Sequence, residues 1–232
     1  MNGTDRLGLI AVLLFAVAVV VMSRGDNPSG RLDVVVVGDS FADQSGDQLL
    51  ALAEDLDMRA EVFAFGGSSI CGWRPQLEEL AEREPERLVL SFAGNNVDGC
   101  INPDQLQRTP EEVAEIYRAD LEWVVEKYRS AGTDIYLVSP PPVENPAFEA
   151  NAAAMRDMYT RFSVEHPGVT VIETFEQLGP DQQYHETLPC RADEPCQPGD
   201  VVVLRQDDGI HLTPEGGKRY AQAIMAEVAG TP

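Results

Sequence analysis

Basic residues are scarce in this 232-residue sequence. Lysine and arginine together number 17 against 39 acidic residues, so the formal net charge at pH 7 is −22. A field of this sign repels phosphate groups, which makes nucleic acids and anionic lipid headgroups unfavourable partners. The length is sufficient for one domain with a well-buried core and a short additional segment.

Histidine is also rare, and the sequence contains only His166, His185 and His211. No cluster of histidines and carboxylates offers three ligands to a metal ion, so we expect neither a metal nor another cofactor. His166 precedes a proline in a turn, and His185 lies in a polar loop. We interpret both as surface residues, which leaves His211 as the candidate for chemistry.

Charge is absent from the stretch Leu7–Met22, which has Arg6 before it and Arg24 after it. The run is slightly shorter than the roughly 17–25 apolar residues of a membrane-spanning helix. A signal peptide is the alternative, because Ala16-Val17-Ala18 has the small-x-small form of a cleavage site. Cleavage there would leave three valines at the new N-terminus, so we favour an uncleaved anchor.

These observations predict three segments. Residues 1–22 form an apolar N-terminal helix that is a membrane anchor or, alternatively, a cleaved signal segment. Residues 23–31 are a polar tether, and residues 32–232 form one domain. The protein is therefore expected to lie outside the cytoplasm, anchored to the membrane by this helix, or secreted if the segment is removed.

The four cysteines, Cys71, Cys100, Cys190 and Cys196, support this location. An even number behind an export segment indicates disulfides, for which three pairings exist. Cys190 and Cys196 flank a short polar loop that suits a local bridge, which would leave Cys71 to pair with Cys100. Neither pair has the two-residue spacing of a zinc site, so we favour disulfides over metal binding.

Short apolar runs alternate with helical patterns through the rest of the chain. This alternation predicts an α/β fold of three layers, in which a mostly parallel sheet of about five strands lies between helices. The expected strands are residues 32–37, 61–65, 87–92, 134–139 and 169–173, and the expected helices are residues 44–57, 109–132, 147–165 and one that begins at Thr213-Pro214.

Functional residues of such a fold gather at the carboxyl ends of the strands. The first strand runs into Ser40, and His211 lies three residues after Asp208, just before the closing helix. A serine attacks a carbonyl only when a base takes its proton and a carboxylate orients that base. The alternative is structural: Gly38-Asp39-Ser40 would only turn the chain and cap a helix.

Three further residues follow strands at the same edge. Asn96 would project an amide there, and Gly67 would supply a backbone N–H, although each also suits a plain turn. Ser69 is an alternative to Gly67, because a backbone donor does not require glycine. Trp73 is a candidate acyl or sugar platform, with packing beneath the loop as the alternative.

Together these segments resemble the SGNH (GDSL-type) hydrolase family over residues 32–229. The matching blocks are "GDSFA", "AFGGSSICG", "GNN" and "DGIH". The resemblance implies the flavodoxin-like SGNH fold and a serine ester hydrolase. Its triad would be Ser40 as nucleophile, His211 as general base and acid, and Asp208 as the orienting carboxylate, with Asp207 as the neighbouring alternative.

The resemblance also implies an oxyanion hole formed by the backbone N–H of Ser40, the N–H of Gly67 and the amide of Asn96. A second resemblance rests on "CRADEPC", the paired cysteines before the last block. This arrangement is similar to the extracytoplasmic SGNH domains associated with membrane acyltransferases, and it implies such an enzyme as a partner.

The sequence therefore predicts an extracytoplasmic serine esterase that acts through an acyl-enzyme. The expected substrate is an acyl ester, acetyl in the simplest case, of an envelope glycan or lipid. Two alternatives remain open: an O-acyltransferase that uses the same triad, and a non-catalytic glycan-binding module that partners a membrane acyltransferase.

Overall fold

The computed structural model describes residues 31–104, 106 and 108–230. The predicted anchor at residues 1–22, and all of the tether except Arg31, lie outside the described residues. None of the helices within the described ranges is long and apolar enough to cross a membrane.

Five parallel strands form the central sheet, in the order β2-β1-β3-β4-β5. Their bounds agree with the predicted strands to within two residues at each end, and the predicted α/β architecture is confirmed. The strands are β1 Val34–Gly38, β2 Ala60–Ala64, β3 Arg87–Ser91, β4 Asp134–Val138 and β5 Val169–Ile172.

Helices cover both faces of this sheet. Those of the main layers are α1 Ser40–Asp55, α2 Arg74–Glu82, α3 Pro110–Arg129, α4 Pro146–Glu165 and α6 Pro214–Val228, and a short α5 spans Phe175–Leu178. The caps predicted at Thr109 and Thr213 are present, and each side chain accepts a hydrogen bond from the first turn of its helix.

The four valines of β1 are divided between the two faces of the sheet, and both faces are buried. Val35 and Val37 pack in the core beneath α2, α3 and α4, whereas Val34 and Val36 pack in the core beneath α1 and α6. In the sheet, β1 lies between β2 and β3, and helices cover both of its faces. Every position along β1 is therefore apolar.

Helices α2 and α5 were not predicted, and two further features also differ from the prediction. Helix α1 begins at Ser40, four residues before the expected start, because the side chain of Asp39 accepts a hydrogen bond from the N–H of Phe41 and caps the helix. A small antiparallel pair, β6 Thr187–Pro189 and β7 Val201–Val203, also lies outside the main sheet, between α5 and α6.

Candidate active site

The turn that carries Ser40 depends on Gly38. A Cβ atom at this position would lie 2.6 Å from the carbonyl oxygen of Ser91 and 2.6 Å from Cβ of Ala42, so only glycine fits. The N–H of Asp39 donates to the carbonyl of Ser91 at 2.9 Å, which ties the turn to the neighbouring strand. Ser40 consequently occupies the first position of α1, where backbone N–H groups have no partner within the helix and the helix dipole favours negative charge.

His211 and Asp208 are in direct contact. Nδ1 of His211 lies 2.6 Å from Oδ2 of Asp208, and the other carboxylate oxygen accepts the backbone N–H groups of Ile210 and His211, both at 2.9 Å. Partial burial acts to raise the pKa of Asp208, but these hydrogen bonds outweigh it and lower the pKa below its usual value. The structure thus selects Asp208, and not Asp207, as the carboxylate that contacts His211.

Ser40 and His211 line the same cleft, whose volume is about 60 Å³. Its walls come from α1, the loop after β3, the β4–α4 segment and the loop before α6. The lining residues are Asp39, Ser40, Phe41, Ala93, Asn95, Val143, Phe148, Ala152, Ile210 and His211.

The asparagine in this cleft is Asn95, and this corrects the prediction of Asn96. Gly94 has a φ of +85° and turns the chain after β3, so that Asn95 is the residue directed toward Ser40. Asn96 is not among the residues that line the cleft. Counting Gly-x-Asn forward from Gly94 selected a position one residue too far.

Asp39 holds the amide of Asn95. Its Oδ2 accepts hydrogen bonds from Nδ2 of Asn95 and from the N–H of Ala93, both at 2.8 Å. Asp39 is fully buried, and this burial raises the pKa of its carboxyl to about 6, although the N–H groups of Ala93 and Phe41 oppose the shift. From the sequence, Asp39 was expected at most to turn the chain and cap a helix, because nothing local signals a contact 56 residues away.

The glycine segment after β2 lies beside the nucleophile position. A Cβ built on Gly66 would lie 3.7 Å from Cβ of Ser40, and the adjoining Gly67 has a left-handed φ of +77°. Trp73 is largely buried, and its indole N–H donates to Oγ of Ser68 at 2.9 Å. Gly67 and Trp73 both line a second, open pocket of about 480 Å³ next to this segment.

Both predicted disulfides are present. Cys71 is bonded to Cys100, which joins the glycine segment to the loop that follows Asn95, and Cys190 is bonded to Cys196. The described residues contain one group of three side chains close enough to share a metal ion, Cys190, Glu194 and Cys196. Because the two cysteines are oxidised, this group has no thiolate ligand to offer.

Three side chains that sequence analysis overlooked fix the loop carrying His211. Oε1 of Gln44 accepts the N–H of Leu212 at 2.7 Å, and Nε2 of Gln206 donates to the carbonyl of Leu212 at 2.8 Å. The buried Arg205 donates to the carbonyl of Ile210 at 3.0 Å. Gln44 lies one helical turn after Ser40, so its hydrogen bond connects the serine and histidine segments directly.

Comparison with known proteins places this geometry in context. A family model described as a protein of unknown function, DUF459, matches residues 33–227. No curated protein is significantly similar to the sequence.

Solved structures of similar fold include LAE5, an α/β-hydrolase enzyme from the metagenome of Lake Arreo, Spain, with 16% identity and a TM-score of 0.60 over 85% of this chain and 95% of that one. The acetyl xylan esterase AlAXEase has 13% identity and a TM-score of 0.58 over 84% of this chain and 99% of that one. A GDSL-like lipase from Bacteroides thetaiotaomicron VPI-5482 has 12% identity and a TM-score of 0.58 over 86% of this chain and 88% of that one. These likenesses confirm the predicted SGNH (GDSL-type) fold.

Proposed function

Because the chain belongs to the DUF459 family and has the SGNH hydrolase fold, we propose that it is a serine ester hydrolase that acts through an acyl-enzyme on Ser40. One observation carries the proposal. Ser40 and His211 line one small cleft, and Oδ2 of Asp208 lies 2.6 Å from Nδ1 of His211. Nucleophile, base and orienting carboxylate are the three parts that such a mechanism needs.

In the first step, Nε2 of His211 takes the hydroxyl proton of Ser40 while Oγ attacks the ester carbonyl. The hydrogen bond between Asp208 and Nδ1 keeps the ring proton on Nδ1 and leaves Nε2 free to accept. The imidazolium then donates its proton to the departing alcohol, and the acyl group stays on Ser40. Water repeats the sequence and releases the acid.

Charge on the carbonyl oxygen would be met by preorganised donors. The N–H of Ser40 is one, because it occupies the first position of α1. The amide of Asn95 is the second: one hydrogen is held by Asp39 at 2.8 Å, and the other has only a long contact of 3.4 Å with the carbonyl of Ser68. An N–H from the Gly66-Gly67 segment would be the third.

The size of the cleft supports a short acyl group such as acetyl. Its volume of about 60 Å³ is far below the roughly 300–1,000 Å³ of pockets that enclose drug-sized ligands. Apolar side chains, among them Val143, Phe148 and Ile210, contribute to its lining. A long acyl chain would have to displace them.

The domain is proposed to work outside the cytoplasm, anchored by residues 1–22. Two disulfides in a domain of this size support an oxidising compartment. An envelope ester would then be within reach, and a membrane acyltransferase would be a natural partner because it produces such esters.

Hydrolysis of p-nitrophenyl acetate and p-nitrophenyl octanoate by the full chain tests the proposal. We expect turnover of the acetate in preference to the octanoate, and a loss of about 10⁴-fold or more in kcat for Ser40→Ala and His211→Ala. Asp207→Ala is the matched control for Asp208→Ala, because the two carboxylates are adjacent and only Asp208 contacts His211. If the Ser40→Ala protein hydrolyses the ester as fast as the wild type does, the proposal is refuted.

A further inference from the structure

A groove of about 510 Å³ lies along α1 and shares no lining residue with the acyl cleft. It lies between α1, the edge strand β2 and the loop that carries His211. Its lining residues are Asp43, Gln44, Gly46, Asp47, Gln48, Leu50, Val62, Ala64, Phe65, Gln206, Leu212 and Pro214.

The position of the groove suits the alcohol portion of an ester. Asp43, Gln44 and Asp47 follow Ser40 at spacings of three, four and seven residues, which places them on the same face of the helix. With a rise of 1.5 Å per residue, that face extends about 10 Å from the nucleophile. Leu212, which also lines the groove, directly follows His211, the residue that protonates the departing alcohol in the proposed mechanism.

The lining is chemically uneven. Two carboxamides (Gln44 and Gln48) and two carboxylates (Asp43 and Asp47) come from α1, a third carboxamide (Gln206) comes from the loop that carries His211, and no lysine or arginine is among the residues that line the groove. A ligand with several hydroxyl groups can donate to these oxygens, whereas a phosphate or carboxylate would meet the like charge of Asp43 and Asp47 with no cation beside them in the lining.

Gln48 has an unmet hydrogen-bonding capacity. Its Oε1 is buried in the groove wall and accepts no hydrogen bond from the described residues. An unpartnered buried oxygen is unfavourable, and a hydroxyl donor is the group that would satisfy it. The residue as a whole is only partly buried, and it lines the groove.

Phe65 supplies an apolar wall. Its side chain is 56% exposed, which is unusual for a phenylalanine, yet its backbone is held by a hydrogen bond from its N–H to the carbonyl of Gly38 at 3.2 Å. The backbone of Phe65 is therefore tied to the nucleophile turn, and its ring lines the groove. Such a ring can pack against the C–H face of a sugar while the amides bind its hydroxyls.

From these features we propose that the groove binds the alcohol portion of the substrate, and that this portion is a saccharide without negative charge. The identification of this saccharide as the alcohol portion of an ester rests on the proposed function. The groove itself is defined by its own residues, so saccharide binding is measurable without any turnover.

Binding to the full-length Ser40→Ala protein is the test, measured by calorimetry and saturation-transfer NMR. The probes are neutral trisaccharides of glucose, xylose and N-acetylglucosamine, with trigalacturonic acid as the anionic probe. We expect at least one neutral trisaccharide to bind with a Kd of about 10 mM or tighter. The anionic probe should bind at least about fivefold more weakly, which corresponds to one like-charge contact in water.

Two variants test the groove, and Gln48→Leu is the more specific, because Phe65 also lines the pocket beside the glycine segment. Gln48→Leu keeps the size of the side chain and removes its hydrogen bonds, so it should weaken binding by roughly three- to tenfold. Phe65→Ala should weaken it by a similar factor through lost apolar contact. Asp55→Asn is the control, because Asp55 is exposed on the same helix and does not line the groove.

The outcomes separate this inference from the hydrolase proposal. If no neutral trisaccharide binds, or if binding is indifferent to both groove variants, the saccharide site is wrong whatever the esterase assay shows. Stronger binding of trigalacturonic acid would also overturn it. If the protein binds a saccharide but the wild type hydrolyses no ester, the saccharide site stands and the hydrolase proposal is wrong.

Discussion

Nδ2 of Asn95 donates a 2.8 Å hydrogen bond to Oδ2 of the buried Asp39. The same carboxylate caps α1 through the N–H of Phe41, and the next residue after Asp39 is Ser40. A single buried side chain therefore sets both the helix start that presents the serine and the amide that faces it. Asp39 is a positioning residue, because it acts on the cleft through Asn95 and through the helix.

The first prediction distinguishes the two asparagines. Asn95→Ala should lower kcat by about 10²–10³-fold, the loss typical of removing one oxyanion donor, with little change in KM. Asn96→Ala is the matched control, since Asn96 does not line the cleft, and its kcat should stay near that of the wild type. A large loss in Asn96→Ala with none in Asn95→Ala would restore the assignment made from sequence.

The second prediction concerns the pH dependence of stability. Burial raises the pKa of Asp39 from 3.8 to about 6. Between these values the folded protein holds a proton that the unfolded chain has lost, so the contribution of Asp39 to stability falls as pH rises. Two pKa units correspond to about 3 kcal/mol.

Urea unfolding at pH 4 and pH 7 measures this effect. Asp39→Asn removes the titration and keeps a polar side chain of the same size. The difference in the free energy of unfolding between wild type and Asp39→Asn should therefore shift by about 2 kcal/mol, with the wild type relatively less stable at pH 7. The same difference at both pH values would show that Asp39 titrates normally.

The third prediction tests the connection between the serine and histidine segments. Gln44→Ala leaves the N–H of Leu212 without its 2.7 Å acceptor, so it should destabilise the fold by about 1–3 kcal/mol. Because the loop next to His211 is then free to shift, kcat should fall by about ten- to a hundredfold, with KM little changed.

Gln222→Ala is the control for this variant. Gln222 also donates a side-chain hydrogen bond, to Asp193 at 2.7 Å, but it lies on α6 and does not contact the His211 loop. Equal effects of the two substitutions on kcat would mean that Gln44 has no special role.

The fourth prediction ranks the disulfides. Cys71–Cys100 closes a separation of 29 residues and Cys190–Cys196 one of 6, so loop entropy assigns about 3–4 and about 2 kcal/mol to them respectively. Replacing Cys71 and Cys100 by serine should therefore lower Tm further than replacing Cys190 and Cys196. It should also lower kcat, because that bridge joins the glycine segment to the loop after Asn95. The reverse order of Tm losses would contradict this account.

Local patterns were enough to predict the strands, four of the five main helices (all except α2) and the contact between Asp208 and His211. Buried parallel strands are continuous apolar runs, helix caps are set by two or three adjacent residues, and Asp-x-x-His lies within one turn of chain. The contacts that were missed are distant in sequence. Asp39 meets Asn95, Gln44 meets Leu212, and neither pair is visible until the sheet has brought the segments together.

The choice of Asn96 failed for a related reason. A motif count assumes that the residues between two positions are laid out regularly. At Gly94 the backbone enters the left-handed region, where glycine is favoured, and the turn directs the first asparagine rather than the second into the cleft. The pattern indicated that an asparagine follows β3 at the sheet edge, but only the turn geometry selects which one.

Labelling by a fluorophosphonate tests the central claim most directly, because the reagent phosphonylates serines that are activated as nucleophiles. The full chain should gain one adduct, mapped by mass spectrometry to Ser40, and His211→Ala should label far more slowly. Ser40→Ala, shown to be folded by its unfolding transition, should gain none. A folded wild type that remains unlabelled, or that is labelled at another serine, would contradict the account.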